Sequence, residues 1–278
     1  MRAVMIGLLA WAVAVVPLHA QTDPIPSSNM QLPGTQLSDI QLPDIPLPES
    51  DPCEVPGYIL FGDAKLDHVK KAVEEHKKLT ILVLGSASSV LPGADGVNKS
   101  YPGRLEEVLH KRFPDVAIKL VALAKSRNTA ADMTQGLDTV LKEQKPDLVI
   151  WQTGTVDAMR GVDPESFRAS LDEGIDEAAD SGADLILMNM QYSPRTETMI
   201  ALNTYADIMR VVSRDREVPL FDRREIMRYW NDNGNFYLNL ATKDVATAYK
   251  VHDCLGRALA SLVVEAANLD GIKARPTQ

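Results

Sequence analysis

Three hydroxyls surround one methyl group in the run Gly85-Ser86-Ala87-Ser88-Ser89, directly after an apolar stretch. Hydroxyls on a strand-to-helix turn are the raw material of acyl transfer. That chemistry needs a serine oxygen as nucleophile, an imidazole to take its proton, a carboxylate to orient the imidazole, and donors facing the developing oxyanion. The imidazole is the scarce part. Of the five histidines, His19 falls in an N-terminal leader, and His68 and His76 lie in the charged segment 67–78. His110 stands beside Lys111 and Arg112, so these last three read as solvated helix faces. His252, followed by Asp253, is left as the one candidate base, with Ser88 or Ser86 as the hydroxyl it would serve. Small residues in the same loop also let backbone amides approach an anion, but neither a phosphate-loop lysine nor a dinucleotide glycine spacing accompanies them. Asp157 and Asp163 have no His or third carboxylate near in sequence, so helix capping is expected there and neither a metal nor a cofactor. The runs Arg214-Asp215-Arg216-Glu217 and Arg223-Arg224-Glu225 alternate in sign and read as solvated surface.

The elements that must position these groups follow from the apolar pattern. Apolar runs at Thr80–Leu84, Ala117–Ala122, Asp147–Trp151, Asp184–Met188 and Val218–Phe221 read as strands. Between them, apolar residues recur at three- and four-residue spacing in Leu66–Lys78, Gly103–Phe113, Ala130–Glu143, Pro164–Ser181, Ile200–Arg214 and His252–Ala267. Strands apolar throughout, separated by amphipathic helices, imply a parallel sheet covered on both faces. The expected architecture is therefore an α/β class, three-layer α/β/α sandwich with a central five-stranded sheet, formed by one domain over residues 53–272. Open parallel sheets place their sites at the carboxyl ends of strands. Those ends carry the serine run, then Leu123-Ala124-Lys125-Ser126, then Gln152-Thr153-Gly154-Thr155-Val156-Asp157, then Asn189-Met190-Gln191-Tyr192-Ser193-Pro194.

Those loops, with Ser100-Tyr101-Pro102-Gly103-Arg104-Leu105-Glu106, Lys145-Pro146-Asp147, Val218-Pro219-Leu220-Phe221 and Cys254-Leu255, resemble the SGNH (GDSL) hydrolase superfamily. The resemblance is to an exported bacterial branch with a Gly-Ser-Ser-Ser-Thr first loop, and it implies a flavodoxin-like sheet and serine esterase chemistry. Mapped onto this sequence, the implied nucleophile position is Ala87. The oxyanion glycine maps to Ala124 and the asparagine of the third loop to Val156, while Gly154, Thr155 and Asp157 remain. The Asp-x-x-His element maps to Lys243 and Ala246. A methyl group cannot attack a carbonyl, and no carboxylate stands three residues before His252, where Tyr249 lies. The resemblance thus implies a scaffold whose proton relay has been replaced: a non-catalytic protein binding a glycan or an acylated envelope ligand in a cleft of Gly85, Ala87, Ala124, Gln152, Gly154, Asp157 and Tyr192. The competing expectation is an active esterase using Ser88 or Ser86 with His252.

Composition sets the setting. The chain has 278 residues, 45% of them apolar, and a formal charge of −9, a balance that excludes a disordered chain and disfavours nucleic acid as a partner. Residues 1–20 have the charged start, apolar middle and small-residue end of a secretory signal, with an uncleaved anchor as the alternative; a periplasmic or secreted location follows from either. Eight prolines between Gln21 and Pro56 mark residues 21–52 as an extended spacer; residues 273–278, beyond the expected domain, are expected to form a short tail. Export lets disulfides persist, and the two cysteines, Cys53 and Cys254, allow one pairing, with two free thiols as the alternative.

Overall fold

A computed structural model describes residues 51–239 and 245–271. The leader 1–20, nearly all of the spacer 21–52, the tail 273–278 and Lys243 lie outside the described residues.

Five parallel strands form the sheet: β1 (Lys78–Gly85), β2 (Ala117–Ala124), β3 (Leu148–Gln152), β4 (Asp184–Met188) and β5 (Leu220–Phe221), in the order β2-β1-β3-β4-β5. Burial explains their composition. All residues of β3 and all but Lys78 of β1 are buried, because helices cover both faces of the interior strands. Alternate residues serve opposite layers. Ile81, Val83, Leu148 and Ile150 join the cluster with Leu105, Leu255 and Leu259, whereas Leu82, Val149 and Trp151 join Phe167, Leu171 and Met209. The edges differ: β2 has exposed and half-buried positions, and β5 has only two residues, a length that offers little template for stray pairing.

One helical layer holds α2 (Asp67–Glu74), α3 (Tyr101–Arg112), α10 (Arg223–Asp232) and α11 (Ala246–Ala266); the other holds α4 (Ala130–Thr134), α5 (Leu137–Gln144), α7 (Pro164–Asp180) and α9 (Leu202–Asp215). The expected three-layer fold is present. Short helices α1 (Gly57–Leu60), α6 (Thr155–Arg160) and α8 (Pro194–Met199) complete the described set. Local corrections have local causes. The helix expected over Ala130–Glu143 is two, because Gly136 takes φ +80° at the start of α5, a left-handed conformation that interrupts the helix. The last helix begins at Ala246, so His252 stands in its second turn rather than at its start. Helix α10 carries no simple apolar stripe in its opening Arg-Arg-Glu and was not expected.

The strand order reverses beside β1, so the crevice at the topological switch point lies between the carboxyl ends of β1 and β3. Leu84 pairs with Trp151, which brings Gly85 and its serine run to Gln152.

Candidate active site

Beyond β1 the chain makes a 3-10 turn over Ala87–Ser89. Gly85 is required there, because a Cβ would stand 2.8 Å from that of Ser89, which folds back over the strand end. The turn exposes Ala87, half-buries Ser88 and buries Ser86 and Ser89. Gln152, fully buried, collects the hydroxyls with one carbonyl oxygen: Oε1 accepts from Ser89 Oγ at 2.8 Å, Ser86 Oγ at 2.9 Å and the Ser86 amide at 3.1 Å. Ser88 Oγ lies farther, at 3.4 Å from Oε1 and 3.3 Å from Ser86 Oγ. An amide oxygen has two lone pairs, so the longest of these bonds is the weakest and Ser88 is the hydroxyl least committed to Gln152.

Arg223, the first residue of α10, approaches Ser88 from the protein side. Its Nη1 donates to Ser88 Oγ at 3.3 Å and its Nη2 to the Ser88 carbonyl at 3.2 Å, while Cζ lies 5.8 Å from the centre of the Tyr101 ring. The expectation of a solvated Arg223-Arg224 pair is overturned: the two are 1% and 3% exposed. Sequence alternation of sign looked like surface, but both side chains turn inward from the start of α10. Arg224 is held by Glu197 and by Asn203 at 2.7 Å. For Arg223, no carboxylate lies within ion-pair distance among the described residues, and burial pulls its pKa down to about 10, which leaves it charged at neutral pH.

His252 does not meet the serines. Its Nδ1 accepts the backbone N–H of Tyr101 at 3.0 Å, and the two rings stack with centroids 5.9 Å apart. No hydrogen bond joins it to Ser86 or Ser88 among the described residues. Burial, aided by the Arg223 charge, pushes the imidazole down to about 3, so it is neutral at physiological pH. A neutral ring that accepts at Nδ1 carries its proton on Nε2. That tautomer has no lone pair left for a hydroxyl proton.

The remaining expected positions spread along the strand ends. Ala124 is exposed and pairs in register with Gly85. Gly154, at φ +93°, opens α6. Asp157 is buried and accepts the Ala130 amide, the first of α4, at 2.9 Å, beside the capping box that Thr129 and Asp132 form there; burial pushes its carboxyl up. Asp163 caps α7 through the Ser166 amide. Tyr192 is buried in the cluster that includes Met227 and Trp230. Ala246 opens α11, and Cys53 and Cys254 form a disulfide. No group of three or more potential metal ligands occurs among the described residues. The group sequence reasoning missed is Arg223. The strand-end rule, carried on to β5, points to Asp222-Arg223, which follow it directly.

The family model of the Non-GDSL lipase-like family matches residues 52–269. An arylesterase of Vibrio mimicus is 30% identical over 117 residues, 41% of this chain and 56% of that protein. Esterase TesA of Pseudomonas aeruginosa is 29% identical over 115 residues, with the same coverage; the chain thus spans about half the length of these curated relatives. Among solved structures, TesA superposes with a TM-score of 0.55 at 20% identity, covering 67% of this chain and 99% of that one. A catalytic mutant of the acetylxylan esterase Axe2 from Geobacillus stearothermophilus gives 0.55 at 19%, covering 71% and 97%. At such identities the likeness is one of fold.

Proposed function

We propose that this chain, which belongs to the Non-GDSL lipase-like family and to the SGNH/GDSL esterase superfamily, is an exported member that binds a glycan or acylated envelope ligand without hydrolysing it. The observation that carries the reading is the Tyr101 amide on His252 Nδ1. An acyl-transfer base must offer Nε2 as acceptor while a carboxylate holds Nδ1–H; here the polarity of the ring is reversed and its partner is an amide. Ala87 at the turn supplies no oxygen. Loss of the nucleophile in a serine triad costs about six powers of ten in turnover. Export is supported by the leader pattern of residues 1–20 and agrees with a disulfide.

A second reading, esterase action by Ser88 or Ser86 with His252, is favoured by one contact: the Arg223 cation 3.3 Å from Ser88 Oγ would stabilise an alkoxide. One assay separates the two. Purified protein is given a small aryl acetate, alongside Ala87→Ser, Ser88→Ala and His252→Ala. The expected result is background release from all four, because restoring the oxygen at position 87 leaves it without a base. Turnover by the unaltered chain that Ser88→Ala or His252→Ala removes would refute the binding reading.

A further inference from the structure

Between α11, the start of α3 and the segment at Cys53 lies a solvent-open cavity of 620 Å³, lined by none of the residues assigned to the strand-end cleft. Its volume suits a small-molecule site, for which about 300–1,000 Å³ is usual. Its charge runs against that of the chain. Four cations, Lys99, Arg104, Lys250 and Arg257, face two carboxylates, Asp51 and Asp253, in a chain of formal charge −9. The arginines are committed: Arg104 Nε donates to Asp253 at 2.6 Å and Arg257 Nη1 to Asp51 at 3.3 Å. The lysines are not. Lys99 Nζ lies 3.4 Å from Asp95, an exposed carboxylate outside the lining, and such a surface pair is weak. Lys250 is exposed and makes no hydrogen bond or ion pair among the described residues. Tyr249 stands between them, next to Lys250 in sequence and with its ring centre 5.7 Å from Lys99 Nζ. Phe236 and the Cys53–Cys254 disulfide add apolar wall.

We infer that this cavity is a second binding site, taking a phosphate monoester on a sugar-sized body. The lining carries an excess of two positive charges, and a phosphate monoester brings about −1.5 to −2 at neutral pH. A carboxylate would leave one cation unmatched. Ammonium groups meet phosphate as point charges and lack the planar fork that pairs best with a carboxylate. The Tyr249 ring and the apolar wall are there to cover the body of an ester, whereas an inorganic ion would leave most of the cavity to water. The site is separate from the ligand proposed for the strand-end cleft and holds whether or not that cleft hydrolyses an ester.

The test is calorimetric titration of the full chain with glucose 6-phosphate, alongside glucose, glucuronate and inorganic phosphate at equal ionic strength. Glucose 6-phosphate should bind saturably at one site, and glucose should not. A Lys99→Met, Lys250→Met double variant should bind it at least about ten-fold more weakly, since two charge-assisted contacts are lost. Both lysines are exposed, so the variant is expected to fold, and an unchanged thermal midpoint checks this. Tyr249→Ala should weaken the ester while leaving inorganic phosphate as it was. No saturable binding, or a Kd that the double variant does not move, overturns the inference. Glucuronate binding as tightly as glucose 6-phosphate overturns the phosphate assignment, and inorganic phosphate binding as tightly overturns the ester. A Kd weakened equally by Ser88→Ala would put the ligand in the strand-end cleft and overturn the second site. The two readings fail separately: aryl acetate turnover abolished by Ser88→Ala sinks the non-hydrolytic function, whereas absent ester binding without turnover sinks this inference alone.

Discussion

His252 makes a pH signature that a surface histidine would not. In the folded chain it holds off protonation down to about 3, against an ordinary 6.5, so the unfolded chain takes up a proton first as the pH falls. Stability from this residue is therefore complete above about pH 6.5 and drains away toward pH 3, at about 1.4 kcal/mol per unit. Asp157 and Asp184, whose carboxyls burial pushes up, act with the opposite sign, since acid relieves them. The difference between the chain and His252→Gln isolates the imidazole. Between pH 7 and pH 5, urea unfolding of the unaltered chain should lose about 2 kcal/mol more than the variant loses. Parallel pH profiles for the two would mean that His252 is solvated and free to act as a base. Ala87 needed no structure to be read as lacking a nucleophile, because an alanine has no lone pair in any fold. Which nitrogen of His252 is free was not legible, since it depends on a backbone amide 151 residues away.

At the scale of elements, one close helix contact sets that nitrogen. Gly256 lets α11 press on α3: a Cβ there would stand 2.5 Å from Cβ of Arg104 and 2.9 Å from the carbonyl of Tyr101. His252 lies one turn earlier on the same face, and the close approach brings its ring to the first amide of α3. A bulkier residue at 256 should force the helices apart. Gly256→Val is expected to cost roughly 1–3 kcal/mol in urea unfolding and, by loosening the Tyr101 contact, to move the imidazole titration upward toward 6.5 in proton NMR. A titration that stays near 3 in a destabilised variant would show that the helix spacing does not govern the ring. The strand and helix pattern was readable because hydrophobic periodicity is a local property. The break at Gly136 and the existence of α10 were less so: the first needs a backbone angle, and the second hides its buried face behind two arginines.

For the whole molecule, the Cys53–Cys254 bond closes a loop with a sequence separation of 201, its Cα atoms 4.8 Å apart. In the chain-entropy account such a loop is worth about 5 kcal/mol. Other contacts tie down the same end, notably the Trp230 indole donating to the Glu54 carbonyl at 3.1 Å. A Cys53→Ser, Cys254→Ser double variant should therefore still fold, with stability lower by about 2–5 kcal/mol in denaturant titration. An unchanged midpoint would mean that the segment at Cys53 is already held by those contacts. Among the described residues no helix is long and apolar enough to cross a membrane.

By itself the sequence determined the layered sheet, the strand ends at which chemistry is to be sought, the pairing available to two cysteines, and the absence of a hydroxyl at position 87. These depend on periodicity, on residue identity and on counting, all of which survive without coordinates. Tertiary structure alone decided that Arg223 is buried behind Ser88, 135 residues away, that Gln152 gathers three serines, and that His252 faces an amide. Each is a question of which distant groups meet and in what orientation. Orientation is fixed by packing across the sheet and between α3 and α11, not by any stretch of chain read alone.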